Sequence, residues 1–248
     1  MKAIKPLGRS AYGSIPHLPG SRIGPGDHHI PEGQARILLE QQRPGDVIIV
    51  EEKLDGACMA VANIDGEIVP LIRAGYRARD GLYEHLRAFD PWVMERADLF
   101  KRLLEPGERV VGEWLAMAHG TLYDCKEPMF APFVAFDIFR NNERILRKEF
   151  WPRIISLIAD LCRDCCGISA ATPIVFDGPL PISKALHMLG ERGHAGALEK
   201  PEGAVWRCER EGRVEFLAKY VRPEKIDGRY LPEVSGAEAI WHIERPAP

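Results

Sequence analysis

Once a glycine- and proline-rich opening has passed, the chain is dominated by short β-branched runs and period-two alternation, with a few stretches of helical spacing between them. Residues 6–33 carry little periodic pattern, which predicts an extended arm with several turns. A polar helical stretch is predicted over 33–42, closed by Arg43-Pro44-Gly45. The pattern then turns to strand. DVIIVEEK (46–53) is one run, and ACMAVANI and EIVPLIR flank Asp65-Gly66, a strong hairpin signal. Helical spacing over 81–104 is predicted to break at Asp90-Pro91, because proline lacks the backbone donor a helix interior needs. RVVGEWLAM (109–117) and PFVAFDIF (132–139) read as buried strands. A helix follows over 142–162, starting near Asn141-Asn142 and carrying Pro152, and a shorter one covers 182–191 with Gly190 near its end. GAVWRCE and RVEFLAKYV are the last two strands, joined around Glu209–Gly212. Hairpins mixed with helices, rather than alternating βαβ units, predict an α+β fold with antiparallel sheets flanked by helices.

Composition narrows the class. With 248 residues, 46% hydrophobic and 28% charged, the chain has material for one large domain or two small ones and does not have the makeup of a disordered chain. No apolar run reaches the roughly 20 residues of a spanning helix, and no apolar segment follows the basic residues of MKAIKPLGRS, so a soluble cytoplasmic protein with no membrane partner is expected. A net charge of −3 argues against a uniformly basic coat and leaves a local basic groove open. Six scattered cysteines form no small secreted framework and are expected to be reduced.

The candidate chemistry lies in charged residues set in or beside apolar strands. Lys53-Leu54-Asp55-Gly56 sits between two strands, just after Glu51-Glu52. Arg73 ends the next strand, Gly112-Glu113 lies within VVGEWLA, Phe136-Asp137 within FVAFDIF, Glu202-Gly203 begins another strand, and Lys219 lies within EFLAKYV. Burying a charge is costly unless the group is paired or used, so a series of this kind points to a site rather than to solvated surface.

These residues, taken in order, resemble the covalent nucleotidyltransferases, the superfamily of ATP-dependent ligases and capping enzymes. Lys53–Gly56 looks like motif I, Gly112-Glu113 like motif III, Phe136-Asp137 like motif IIIa and Glu202-Gly203 like motif IV, and Lys219 falls where motif V is expected. The branch most resembled is the RNA ligase 2-type family, over about residues 46–222. The resemblance implies a nucleotidyltransferase (ATP-grasp-like ligase) domain over 46–248, with residues 1–45 as an N-terminal extension packed on it. Residues 220–248 are too few for the OB-fold of DNA ligases and capping enzymes, so no C-terminal OB-fold is expected.

What the resemblance implies about roles follows the motifs. Lys53 would be the nucleophile that takes AMP from ATP, the co-substrate, with Mg²⁺ or Mn²⁺ on the phosphates. Glu52 would lie at the adenine edge, Phe136 would stack on the purine with Phe133 as fallback, and Arg73 and Glu113 would hold the ribose and its neighbours. Asp55 and Gly56 belong to the same nucleotide-binding motif, Glu202 would help bind metal directly or through water, Lys219 would contact the α-phosphate, and Arg207 would meet the departing phosphates. A free lysine amine titrates near about 10.4, so only about one in a thousand is neutral at pH about 7.4. Lys219 and Arg73 are expected to push the Lys53 amine down. The partners would be nicked or broken RNA ends, with an accessory protein or domain acting in trans left open.

Two departures from the family pattern stand out. Cys58 occupies the position where DNA ligases and capping enzymes carry arginine, and Leu217 and Val221 flank Lys219 where a second lysine is usual, leaving Arg222 or Lys225 as substitutes. The alternatives are a DNA ligase or capping-like enzyme, and a nucleotide- or RNA-binding protein with a degenerate pocket. Weaker signals are the CRDCC cluster (Cys162, Cys165, Cys166), read as buried thiols or a zinc site, and His28-His29, read as a solvated loop or a metal or phosphate contact. Tyr12 and Arg22 in the arm touch an RNA end or pack over the core, and His119–Tyr123 lies near the nucleotide or RNA end. Basic residues at 73, 77, 79 and 87 line a strand-binding face or are simply solvated.

Overall fold

The structure, a computed structural model, describes residues 4–126, 130–160, 167–171, 173–175 and 177–245. The strands are β1 (Val47–Lys53), β2 (Ala57–Ile64), β3 (Glu67–Ile72), β4 (Glu108–Trp114), β5 (Phe133–Arg140), β6 (Glu143–Arg144), β7 (Ile168–Ala170), β8 (Pro173–Val175), β9 (Gly203–Arg210) and β10 (Arg213–Val221). The helices are α1 (Glu32–Leu39), α2 (Glu84–Arg87), α3 (Phe89–Met94), α4 (Ala97–Leu103), α5 (Arg147–Asp160), α6 (Ile182–Leu189) and α7 (Pro232–Ser235). They make an α+β fold of two sheets. One runs β10-β9-β1-β8 and is antiparallel; the other runs β3-β2-β4-β5-β6, with β7 parallel to β5.

Each sheet buries its outer face under helices, as period-two alternation requires. Ile48, Val50, Ala204, Trp206, Cys208 and Ala218 of the first sheet pack on α1 and α6. Met59, Val61, Val110, Phe133, Ala135 and Ile138 of the second pack on Phe89, Val93, Phe100 and Phe150 of α3, α4 and α5. The alternate positions face the other sheet, and many are charged: Glu51, Lys53, Arg207, Glu209 and Lys219 on the first, Glu113 and Asp137 on the second. This inner face accounts for the charges that interrupt otherwise apolar strands.

The arm extends the first sheet. Lys219 N donates to Pro16 O at 2.9 Å, Leu18 N to Lys219 O at 2.8 Å, and Val221 N to Ser21 Oγ at 2.9 Å, so residues 16–21 run along the free edge of β10.

Turn chemistry decides where several elements end. Asp65 and Gly66 take φ of 51° and 90°, and Glu211 and Gly212 take 49° and 80°, both left-handed pairs that join strands as predicted. The helix expected from Asn142 begins instead at Arg147, because Asn141 and Asn142 (φ 49° and 70°) form a hairpin turn between β5 and β6. Asparagine tolerates this conformation better than most side chains. The break expected at Asp90-Pro91 also moves: Pro91 is the third residue of α3, in the first turn, where the missing N–H has no helical partner to lose. The strands β7 and β8, three residues each, carry too short a pattern to be predicted from the sequence. Cys162, Cys165 and Cys166 lie outside the described residues. Cys58, Cys125 and Cys208 are free thiols, and among the described residues no helix is long and apolar enough to cross a membrane.

Candidate nucleotide site

Between the two sheets lies a cavity of about 280 Å³. One wall is Glu52 and Lys53 of β1 with Leu217 and Lys219 of β10; the facing wall is Cys58, Glu113 and Phe136 of β2, β4 and β5. Arg73 stands at the rim, and Tyr12, Gly13 and Ile15 of the arm close the side, a contribution that the patternless arm sequence gave little means of locating.

The K-x-D-G turn is fixed by close approach. A side chain on Gly56 would lie 2.4 Å from Trp114 O, so only glycine lets β2 start this near β4. Gly56 N donates to Glu113 Oε1 at 3.0 Å, which ties motif I to the carboxylate of the opposite wall. Asp55 turns another way. Its Oδ2 meets Lys225 Nζ at 2.9 Å and accepts from Thr121 Oγ1 at 3.0 Å, while its N–H donates to Tyr123 Oη at 3.0 Å. Its carboxylate is therefore engaged by the His119–Tyr123 segment and by Lys225, one of the two substitutes considered for the missing cation. The other, Arg222, donates through Nε to Pro201 O at 2.9 Å.

Lys53 Nζ lies 2.6 Å from Glu202 Oε2, and its side chain keeps 22% exposure. Burial is the largest single influence and lowers this amine, but the charges of Glu202, Glu113 and Asp55 together outweigh it, and the proton is held well above the ordinary lysine range. The expectation that neighbouring cations depress Lys53 is thus reversed: three carboxylates surround it. Lys219 is the depressed lysine, lowered by burial and then by the charge of Lys53. Its Nζ lies 3.8 Å from Asp27 Oδ1, and Asp27 also meets His17 Nε2 at 3.2 Å, so the loop around His28 braces Lys219. Among the described residues, no three His, Cys, Asp or Glu side chains gather as a metal cage.

Glu113 and Glu52 are each raised to about 7 by burial, opposed by Lys53 in the first and by the backbone N–H groups of His194 and Ala195 in the second. Glu52 Oε2 takes both of those N–H groups, at 2.6 and 3.2 Å, whereas Oε1 is buried with no hydrogen-bond partner among the described residues. The folded state binds the Glu52 proton more tightly than the unfolded chain, so its contribution to stability falls as pH rises from about 4.5 through about 7. Glu52→Gln is expected to remove that loss. Its urea midpoint relative to wild type should improve steadily between pH about 5 and about 8, and a pH-independent difference would contradict the assignment.

Phe136 owes its place to a bulge. Val111 pairs with Asp137 and Gly112 with Ala135, so Phe136 is an extra residue opposite no partner, and its ring lines the cavity. Phe133, the fallback stacker, is fully buried against Phe89 and Trp92 of α3 and Phe100 of α4 and lies in the core instead.

Arg207 also departs from expectation. Its guanidinium is 1% exposed and bonds Asp137 Oδ1 at 2.6 and 2.8 Å and Glu209 Oε1 at 3.2 Å, beneath the cavity. With its donors spent on buried carboxylates, it fastens one sheet to the other instead of reaching phosphates. Arg144 Nε and Tyr12 Oη donate to Asp137 Oδ2 at 3.0 Å each, and Arg147 pairs with Glu51. Three guanidinium groups thus oppose the three carboxylates Glu51, Asp137 and Glu209 in this layer. Of the basic residues proposed for a strand-binding face, Arg87 folds back onto the carbonyls of Gly81 and Leu82, Arg77 meets Glu67 at 3.4 Å, and Arg73 joins the cavity.

The RNA ligase family model matches residues 46–221. Among solved structures, Naegleria gruberi RNA ligase variants are similar: one with AMP and Mn and one with ATP and Mn each show 16% identity, a TM-score of 0.51, and coverage of 86% of this chain and 60% of theirs. The likeness shows the fold of an RNA ligase nucleotidyltransferase domain. The chain spans 50–60% of the length of these solved relatives. No curated protein matches it.

Proposed function

Because the chain belongs to the RNA ligase family, we propose that it is an ATP-dependent RNA ligase, sealing RNA 3′-hydroxyl and 5′-phosphate ends through AMP carried on Lys53. The observation that carries this reading is the amine of the K-x-D-G turn, which lines the intersheet cavity with a carboxylate 2.6 Å from its nitrogen. In the first step the Lys53 amine gives up a proton, forms a bond to the α-phosphorus of ATP, and the bond from that phosphorus to pyrophosphate breaks. Glu202 Oε2 is the nearest acceptor for the proton. Phe136 stacks on the base, the unpartnered Glu52 Oε1 accepts from its exocyclic amine, and Glu113 and Arg73 hold the ribose side. Lys219 meets the α-phosphate. AMP then passes to an RNA 5′-phosphate, and a 3′-hydroxyl displaces it.

The residues present fit a divalent cation. Mg²⁺ keeps most of its waters and binds through one or two carboxylates plus substrate phosphates, and the Glu202 carboxylate beside the Lys53 amine is a donor of that kind. Glu202 would hold Mg²⁺ or Mn²⁺, which when bound supplies positive charge against the phosphates. A second reading, a binding protein that has lost turnover, is favoured by Leu217, which forms an apolar wall where the family usually has a lysine.

Incubation with α-labelled ATP and Mg²⁺, followed by denaturation, separates the two. Acid-labile label retained on the protein is expected; an unlabelled protein with ATP and GTP alike would leave the binding module. Nicked RNA, nicked DNA and single-stranded RNA then compare substrates, with nicked or broken RNA expected to be sealed in preference to DNA.

A further inference from the structure

The arm segment around Tyr12 is not only a cover. Ala11 N and Tyr12 N both donate to Arg73 O, at 3.0 and 3.3 Å, and Arg73 Nη2 donates back to Gly13 O at 3.4 Å. The Tyr12 ring, 8% exposed, meets Phe136 edge to face at 5.2 Å between centroids, with 68° between the planes. It meets Phe139 in the same manner at 5.9 Å, and the Arg144 guanidinium sits 5.1 Å from its centroid. Its hydroxyl donates to Asp137 Oδ2 at 3.0 Å.

These contacts converge on a weakness of the bulge. A bulged residue is left out of the strand ladder, so its side chain needs support from other elements. Phe136 has no partner across β4, and Tyr12 is the ring set against it. Tyr12 is anchored in turn at its backbone, through Arg73, and at its hydroxyl, through Asp137. We infer that Tyr12 is a positioning residue for the nucleobase: it sets the orientation in which Phe136 stacks on the base of ATP. The inference rests on the nucleotide reading of the cavity. Tyr12 takes no part in the chemistry at Lys53.

The test is equilibrium binding by calorimetry on the full chain in EDTA, where transfer of AMP is suppressed. The ligands are ATP and inorganic tripolyphosphate, which offers phosphates and no base. Tyr12→Leu is expected to weaken ATP by about tenfold, in line with an aromatic contact, while tripolyphosphate stays within about twofold of wild type. Tyr12→Phe keeps the ring and is expected to hold ATP within about threefold. Should Tyr12→Leu fail to fold, Tyr12→Met provides the same comparison with a more adaptable side chain. Unchanged ATP affinity in the folded variant, or equal losses for both ligands, would overturn the inference and leave the nucleotide reading standing. A wild-type chain that binds no ATP would overturn both.

Discussion

Lys53→Ala is expected to abolish labelling from α-labelled ATP, a loss of more than about 10³-fold, because no other side chain can replace the attacking amine. Lys53→Arg should fail equally, since a guanidinium stays protonated and cannot offer a lone pair. The pH dependence is the sharper measurement. Glu202, Glu113 and Asp55 hold the Lys53 proton well above its ordinary value, so the single-turnover labelling rate should climb about tenfold per pH unit from neutral into the alkaline range. Glu202→Gln removes the carboxylate that acts most strongly on Lys53. The rising limb should then move to lower pH, while the maximal rate drops by about 10²-fold for want of a proton acceptor at 2.6 Å. Rates that stay flat across this range would show that the Lys53 proton does not limit the step.

Asp137→Ala is expected to cost about 3–5 kcal/mol of stability, read from urea unfolding midpoints at unchanged slope. Asp137 is 1% exposed, and burial raises its carboxyl, but Arg207, then Arg144 and Arg147, outweigh burial and hold it below the usual range. Deleting it leaves the buried Arg207 with one carboxylate instead of two and strips the partner from the Tyr12 hydroxyl. Asp137→Asn keeps the shape and an acceptor while losing the charge, so it should fall between the two. A cost below about 1 kcal/mol for alanine would mean that water reaches this layer and solvates Arg207.

Both predictions draw on features that the sequence displayed unequally. Asp65-Gly66 and Glu211-Gly212 were readable because hairpin geometry is encoded in two adjacent residues. Asn141-Asn142 misled because asparagine suits both a helix start and a left-handed turn, and only the pairing of β5 with β6 decides between them. The short β7 and β8 carry no pattern long enough to register, and partner strands determine them.

At the site, the order of charged residues along the chain gave the cavity walls, since alternation puts Lys53, Glu113 and Lys219 on inner faces. It did not give depth. Arg207 shares its face with Val205 and Glu209, yet whether it reaches a phosphate or a buried carboxylate depends on Asp137, 70 residues away. The sign of the Lys53 shift was hidden for the same reason: Glu202, Glu113, Lys219 and Arg73 are all far from it along the chain, and their distances in the fold decide.

The unpaired residue in β5 has one more consequence. Ala135 faces the helices and Asp137 the other sheet, the alternation a strand would show without Phe136, so excising Phe136 would leave its successors on the faces they hold and make the ladder with β4 regular. Asp137 would keep its hold on Arg207 and Phe139 its place against the arm, while the cavity would lose an aromatic wall. Nucleobase wall and intersheet clasp are therefore separable, and a one-residue deletion there would disable recognition while sparing the join between the sheets.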